Sequence, residues 1–296
     1  MDNQNVCKRS RALTCVLGLS LGLFITSCQK LAYTSPASAP LVKASNEASA
    51  TLNTINSTWT VDWNNDPTGV YTSAAAAADF GNITGWDDTR TFISEGYFRI
   101  KLLKDALSGD GGIIARIDIS DGSEYEMDFD VKFHSQFDFS KGGKIGFGFL
   151  VGDGNSGGDP GWDGNGGSLR LTWYQTDAGR VYFQPYLYYK DQPGQYGDTF
   201  DKTYPSTGSL VRGHWYHVHQ YIKSNTGSNT DGHVQVAVDN AIILDRDIRW
   251  TTNDSKRLVG RICLSTFRGG SQDYWKSATD GYIYFDNLSV RKISSE

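Results

Sequence analysis

Two neighbouring stretches of the chain carry polar side chains whose types and spacing could form one binding surface. In the first stretch Ser168 and Arg170 alternate with leucines, and in the second Tyr182 and Gln184 alternate with apolar residues. Side chains alternate between the two faces of a β-strand, and the Asp- and Gly-containing segment between the stretches suits a hairpin. If that hairpin is closed by an odd number of residues, all four polar side chains lie on one sheet face. A guanidinium group on that face would bind a carboxylate through paired hydrogen bonds.

The chain after residue 57 has the pattern of short β-strands. Runs rich in Val, Ile, Phe, Tyr and Trp alternate with polar residues and are separated by Gly, Asp and Asn turns. The clearest predicted strands are 125–133, 144–151, 168–174, 180–189, 215–223, 233–238, 241–245, 260–267 and 281–290. Such strands predict an all-β fold, a jelly-roll or concanavalin-like sandwich of two antiparallel sheets, whose concave face would hold a chain-like ligand. The alanine run 74–78 fits either a helical turn or a loop.

The first residues have the pattern of a bacterial export signal. Basic residues precede an apolar run too short to span a membrane, and small residues follow it up to Cys28. We therefore expect a lipoprotein signal peptide over residues 1–27, with Cys28 as the lipidation site. A flexible tether rich in Ala, Ser and Thr is predicted over 28–57 and one domain over 58–296. The membrane is then a partner through the lipid anchor, in the cell envelope, at the outer membrane or the cell surface.

Charge and cysteine content exclude several classes of protein. The formal net charge of −5 argues against nucleic acid as a partner, because nucleic-acid-binding domains present basic surfaces. Once the leader is removed and Cys28 is lipidated, only Cys263 is left, so we expect no disulfide in the domain. Cys263 lies in an apolar run, which is typical of a core position. We expect a monomer that requires no metal and no cofactor.

Four passages, in order along the chain, resemble polysaccharide lyase family 14, which includes alginate and glucuronan lyases. They are the Gly-Gly-Lys segment 137–144, the Ser-x-Arg strand 167–173, the Asp-Gly hairpin 225–239, and the closing segments 265–270 and 285–287. The resemblance implies a jelly-roll fold and cleavage of a uronic-acid polysaccharide, alginate or glucuronan in type, by β-elimination. An acidic polysaccharide is then the expected partner.

The resemblance also implies which residues act. The family's catalytic lysine corresponds to Lys144, its serine and arginine to Ser168 and Arg170, and the first of its two tyrosines to Tyr182. The second tyrosine position is occupied here by Gln184, which departs from the family pattern.

Elimination at a 4-linked uronate requires three chemical contributions. The carboxylate beside C5 must be neutralised, a base must remove H5, and an acid must protonate the leaving O4. Arg170 suits the carboxylate, and Lys144 either shares that task or, with a lowered pKa, acts as the base. Tyr182 is expected to serve as base, as acid or as both. The expected substrate-binding residues are Ser168, Gln184, Tyr186 and Tyr188.

Other patterns offer alternatives. The acidic segment 126–130 approaches the alternating-acid strand of β-glucan hydrolases but ends in Asp130 where a glutamate is needed, so we expect a solvent-facing strand edge. His217 and His219 share a strand face without an evident third metal ligand, which favours surface or structural histidines. The acidic loop 152–167 lacks the closing glutamate of a calcium loop, and we expect it to be a mobile wall of the groove. A non-catalytic glycan-binding lipoprotein on the same fold is the main alternative to a lyase.

Overall fold

Alternation of apolar and polar residues gives the long strands one buried face each, and the computed structural model stacks these faces as two antiparallel sheets. The structure describes residues 58–295. The predicted all-β, jelly-roll class of sandwich is confirmed. The predicted signal peptide, the lipidation site Cys28 and the tether lie outside the described residues. No helix among residues 58–295 is long and apolar enough to cross a membrane.

The larger sheet has nine strands. They are β1 (Trp59–Val61), β2 (Gly69–Val70), β4 (Thr91–Ser94), β5 (Tyr97–Leu102), β7 (Glu124–Phe133), β11 (Trp215–Lys223), β12 (Gly232–Val238), β13 (Ala241–Ile248) and β15 (Gly281–Ser294). Their spatial order is β13-β12-β11-β7-β15-β5-β4-β2, and β1 also pairs with β15. The strand β7 therefore lies in the middle of this sheet, between β11 and β15.

The smaller sheet has six strands and carries the candidate site. They are β3 (Ile83–Thr84), β6 (Ile113–Gly122), β8 (Gly142–Gly152), β9 (Gly166–Gln175), β10 (Val181–Tyr188) and β14 (Val259–Arg268). Their order is β10-β9-β8-β14-β6-β3, so β14 separates two strands that precede it in the chain. Only the pair β9 and β10 is joined by a short hairpin within this sheet, as the sequence predicted.

Within residues 58–295, helical structure is confined to short segments. The helices are α1 (Ser73–Phe80) and α2 (Ser108–Gly111), and 3-10 turns occupy Gly161–Asp163, Asp254–Lys256 and Asp273–Trp275. The alanine run therefore forms a helix, which begins where the Thr72 side chain accepts a hydrogen bond from the backbone N–H of Ala75. Ala76 and Phe80 are its buried residues.

Aromatic side chains from both sheets fill the core between them. The ring of Phe147 on β8 lies 5.5 Å from that of Phe129 on β7 and 5.8 Å from that of Phe285 on β15, with T-shaped geometry in both pairs. Near one end of the sandwich Phe133 packs in the same way, 5.7 Å from the ring of Trp173. Burial of each such side chain contributes about 1.5–3 kcal/mol, so these contacts fix the two sheets against each other.

Two glycines adapt β8 to its neighbours. Gly146 has φ of 75° at a bulge in the pairing of β8 with β9, and a Cβ there would lie 2.7 Å from the Phe129 ring. At Gly143 a Cβ would overlap the ring of Trp173. The Gly-Gly-Lys sequence therefore lets the backbone approach Trp173 closely, immediately before Lys144.

The nine clearest predicted strands are all present, with bounds that differ by a few residues. The six strands before residue 123 were not among them. Of these β6 has a strong signal, because Ile113, Ala115, Ile117 and Ile119 alternate with more exposed residues along it.

Candidate active site

The register of the hairpin β9–β10 sets which side chains share the outer face of the smaller sheet. Tyr182 pairs with Tyr174, Gln184 with Thr172, and Tyr186 with Arg170. Five residues, 176–180, close the hairpin, so the predicted odd loop and the predicted common face are confirmed. The apolar residues between them face the core.

A cavity of about 740 Å³ lies on this outer face. It crosses five strands, from β10 through β9, β8 and β14 to β6. Helix α2, the loop at Ser156 and the 3-10 turn that ends at Trp275 contribute to its walls. Of the sequence-predicted residues, those that line it are Lys144, Arg170, Gln184, Tyr186 and Tyr188. A long trough across strands suits a linear polysaccharide.

Lys144 lies on the floor of this cavity in an environment that disfavours its charge. It is half-buried on β8 and pairs with Thr172 of β9. Burial, and then the nearby Arg170 guanidinium, lower the pKa of Lys144 to about 7. The amine is therefore available as a base at neutral pH, which an ordinary lysine is not.

The Arg170 guanidinium is the second cation of the site, and it has no acidic partner. Its Nε atom is buried without a hydrogen-bond partner. Among residues 58–295, neither Arg170 nor Lys144 forms an ion pair with a carboxylate. Arg170 therefore keeps a positive charge in the cavity that an anionic ligand would neutralise, whether or not Lys144 is protonated.

Tyr186 faces both cations. The Nζ atom of Lys144 lies 3.8 Å from the centroid of the Tyr186 ring, and Tyr186 pairs with Arg170 across the strands. Burial, and then the neighbouring Tyr188, raise the pKa of Tyr186 above that of a free tyrosine. The phenol therefore keeps its proton and can donate it.

Tyr182 lies on the same sheet face but does not line the cavity. Its ring packs 5.8 Å from that of Tyr174 and 4.7 Å from the guanidinium of Arg180. The structure therefore brings Lys144 and Arg170 together with Tyr186 and leaves Tyr182 apart from them. The position that sequence reasoning gave to Tyr182 is filled by a tyrosine four residues further along the strand.

Ser168 is fully buried and does not line the cavity. Its hydroxyl donates a hydrogen bond of 2.7 Å to the backbone carbonyl of Asn155. Because Ser156 and Gly157 line the cavity, this bond ties one cavity wall to strand β9. The loop 152–167 thus contributes to the wall as predicted, and Ser168 is placed to position it.

The other predicted candidates lie on the larger sheet, away from the cavity. On β7, Asp128 and Asp130 hydrogen-bond His219 and His217 of β11, at 2.9 and 2.8 Å. Hydrogen bonds to both carboxylates raise the pKa of His217 to about 10. Burial alone would raise the pKa of Asp128, but the two histidines outweigh it and lower that pKa to about 2.

The hydrogen bonds of the two histidines with the acidic strand fit the expected surface or structural role. The expectation of a strand edge for residues 126–130 is wrong, since β7 is flanked by β11 and β15. No cluster of three His, Cys, Asp or Glu side chains within the described residues has the geometry of a metal site.

Sequence reasoning missed several residues that line the cavity. Arg116 and Ile114 of β6 form its far side, and Tyr274 and Trp275 reach it from the segment after β14. The alternation along β6 could have placed the first two on one face, but nothing in the sequence shows that β6 lies beside β14. Cys263 is buried and free, but the expectation of a core position is wrong, because its side chain lies on the cavity floor and not between the sheets, where its neighbours Ile262 and Leu264 pack.

Comparisons with known proteins agree with the fold described above. Among solved structures, the alginate lyase Aly36B is 63% identical to this chain, covers 82% of it and 99% of its own length, and has a TM-score of 0.80. A variant of Aly36B with one lysine and one tyrosine changed to alanine, in complex with an alginate tetrasaccharide, gives 62% identity, 82% and 99% coverage, and a TM-score of 0.81. An alginate lyase from Aplysia kurodai, at 22% identity, 79% and 98% coverage and a TM-score of 0.63, shows the same fold.

No curated protein matches the chain. The family model for polysaccharide lyase 14 matches residues 111–288, which is more than half of the chain. The chain therefore belongs to polysaccharide lyase family 14.

Proposed function

We propose that this polysaccharide lyase cleaves alginate by β-elimination, with Lys144 as base, Tyr186 as acid and Arg170 as the group that neutralises the uronate carboxylate. One observation carries the proposal. A lysine of lowered pKa, an arginine without an acidic partner and a protonated tyrosine meet in one cavity.

The reaction follows from these positions. The Arg170 guanidinium binds the carboxylate attached to C5, which makes H5 more acidic because the charge developing beside it is neutralised. Neutral Lys144 removes H5, the electron pair forms the C4–C5 double bond, and the C4–O4 bond breaks. Tyr186 donates its proton to O4 of the leaving sugar, and proton exchange with solvent restores the charges of both side chains. Gln184 lines the same cavity and supplies hydrogen bonds that orient the sugar.

Alginate is the substrate that the relatives favour. The three matched structures reported above are all of alginate lyases, and one of them holds an alginate tetrasaccharide after loss of a lysine and a tyrosine. The tyrosine faced by Lys144 in this chain is Tyr186, which gives the same pair of residue types at one site.

The test is a panel of polyuronides with ultraviolet detection of the unsaturated product. We expect alginate to give a signal that falls at least 100-fold in Lys144→Ala and in Tyr186→Phe. The matched control is Tyr182→Phe, which also removes a phenolic hydroxyl, but from a ring outside the cavity. This variant should keep most of the activity. Loss in Tyr182→Phe with retention in Tyr186→Phe would return the acid role to Tyr182, and no signal from any polyuronide would reject the lyase assignment.

We also propose that Cys28 carries a lipid that anchors the enzyme in the bacterial cell envelope. The support is the sequence alone: basic residues, an apolar run and small residues before the cysteine. Mass spectrometry of the protein purified from membranes should show an acylated Cys28, and Cys28→Ala should release it into the soluble fraction. Equal partitioning of both proteins would contradict the anchor. We propose a monomer, because the cavity is complete within one chain, and light scattering of the purified protein checks this.

A further inference from the structure

Two arginines stand out from the rest of the domain. Every other arginine of residues 58–295 has a hydrogen bond, an ion pair or a ring contact. Within the described residues, the side chains of Arg116 and Arg170 form no hydrogen bond, ion pair or ring contact, and both line the same cavity. In a chain of net charge −5, carboxylates are plentiful, so two unpaired guanidinium groups in one trough indicate sites for an external anion.

The two arginines lie on one row across the sheet. Arg116 of β6 pairs with Cys263 of β14, which pairs with Gly148 of β8. A Cβ at Gly148 would lie 3.3 Å from the Cα of Arg170 and 3.3 Å from the Sγ of Cys263. The residues Arg170, Gly148, Cys263 and Arg116 therefore follow one another across four adjacent strands, with the two small residues in the middle. Small residues in the middle leave depth for a sugar ring between the two cations.

The distance between the two arginines determines which ligands can contact both. Three strand separations of about 4.8 Å place the backbones at Arg170 and Arg116 about 14 Å apart. A single sugar ring does not span that distance. Because both side chains leave the same face of the sheet on different strands, we expect carboxylates bound to the two arginines to belong to different residues of one chain.

We propose that Arg116 binds the carboxylate of a second uronate, several residues along the chain from the one held by Arg170. This inference rests on the proposed lyase function and extends it. Arg116 makes the enzyme favour stretches of consecutive uronates long enough to reach both walls of the trough. Neutral sugars at the distal position, or chains too short to reach it, lose this contact.

The variant Arg116→Gln tests the proposal, because Arg116 is exposed on its strand and its loss leaves the core unchanged. The control is Lys223→Gln, which removes one exposed positive charge from the other sheet. Both variants are assayed on homogeneous uronate oligomers of increasing length and on polymer. We expect Arg116→Gln to raise KM about five-fold on long substrates, with kcat nearly unchanged, and to have no effect on the shortest oligomer that is cleaved. Arg116→Lys should recover part of the loss.

Equal kinetics of Arg116→Gln and Lys223→Gln at every length would overturn the proposal, as would a loss that is the same for the shortest and the longest oligomers. Calorimetric binding of a long uronate oligomer to the Lys144→Ala protein, with and without Arg116→Gln, gives a second readout that needs no catalysis. If the unaltered protein cleaved no uronide, the lyase assignment would fail. The calorimetric comparison would still decide whether Arg116 binds a second carboxylate.

Discussion

The role of Lys144 as base makes a defined prediction for the pH dependence of the reaction. A lysine with the ordinary pKa of 10.5 has about one neutral amine in three thousand at pH 7, whereas a lysine with a pKa of about 7 has about half. The environment of Lys144 therefore increases the fraction of neutral amine on the order of a thousand-fold at neutral pH. Because the base must be unprotonated, kcat/KM should rise about ten-fold per pH unit up to about pH 7 and then level off.

Two variants separate the base from its surroundings. Lys144→Arg keeps a positive charge at every accessible pH, so it should lower kcat/KM by about a thousand-fold or more while oligomer binding persists. Arg170→Gln removes the second cause of the lowered pKa, so the ascending limb of its weaker activity should move to higher pH.

The assay measures initial rates from the ultraviolet absorbance of the unsaturated product, at substrate concentrations well below KM and constant ionic strength. An activity that falls as the pH rises through 7 would refute a neutral Lys144 as base. So would Lys144→Arg with activity within ten-fold of the unaltered enzyme.

Three further predictions concern stability and are checked by thermal unfolding and circular dichroism. Gly143→Ala should destabilise the domain by about 2 kcal/mol, because its methyl group overlaps the Trp173 ring, and an unchanged melting temperature would contradict the tight approach. Phe147→Ala should cost about 3–5 kcal/mol, since its ring joins both sheets, and a cost below about 1 kcal/mol would contradict that packing. His217→Gln should cost about 1 kcal/mol near pH 6. The raised pKa of His217 stabilises the fold fully below about pH 6.5, and this stabilisation is lost as the pH rises through about 10. The cost of His217→Gln should therefore vanish above that pH, and a cost that does not change with pH would contradict the ion pairs.

The sequence predicted the fold class and the shared sheet face, but it did not identify which tyrosine meets Lys144. Strand alternation and an odd hairpin loop were sufficient to place Tyr182, Gln184 and Tyr186 on one face. Which of these side chains contacts Lys144 depends on its distance from Lys144, which lies two strands away. The alternation of side chains between the two faces gives no information about that distance.

The residues of β6 that line the cavity could not be predicted from local sequence patterns, for a different reason. Strand β6 reaches the site because β14, more than a hundred residues later in the chain, inserts between β8 and β6. Alternation shows that Arg116 is exposed, but a non-local strand order determines that it faces the same trough as Arg170. For the histidines of β11, the lack of an evident third metal ligand favoured a surface or structural role, but their pairing with Asp128 and Asp130 depends on the non-local contact of β7 with β11.

The separation of Arg116 from Arg170 also bears on what happens after bond cleavage. An intact chain that spans the trough is held at two points, whereas each fragment released by scission is shorter and, when it no longer reaches both walls, keeps a single cationic contact. Such a fragment is held more weakly than a chain with two contacts. We therefore expect turnover to proceed with little product inhibition, because the trough retains long polymer and lets its own short products leave.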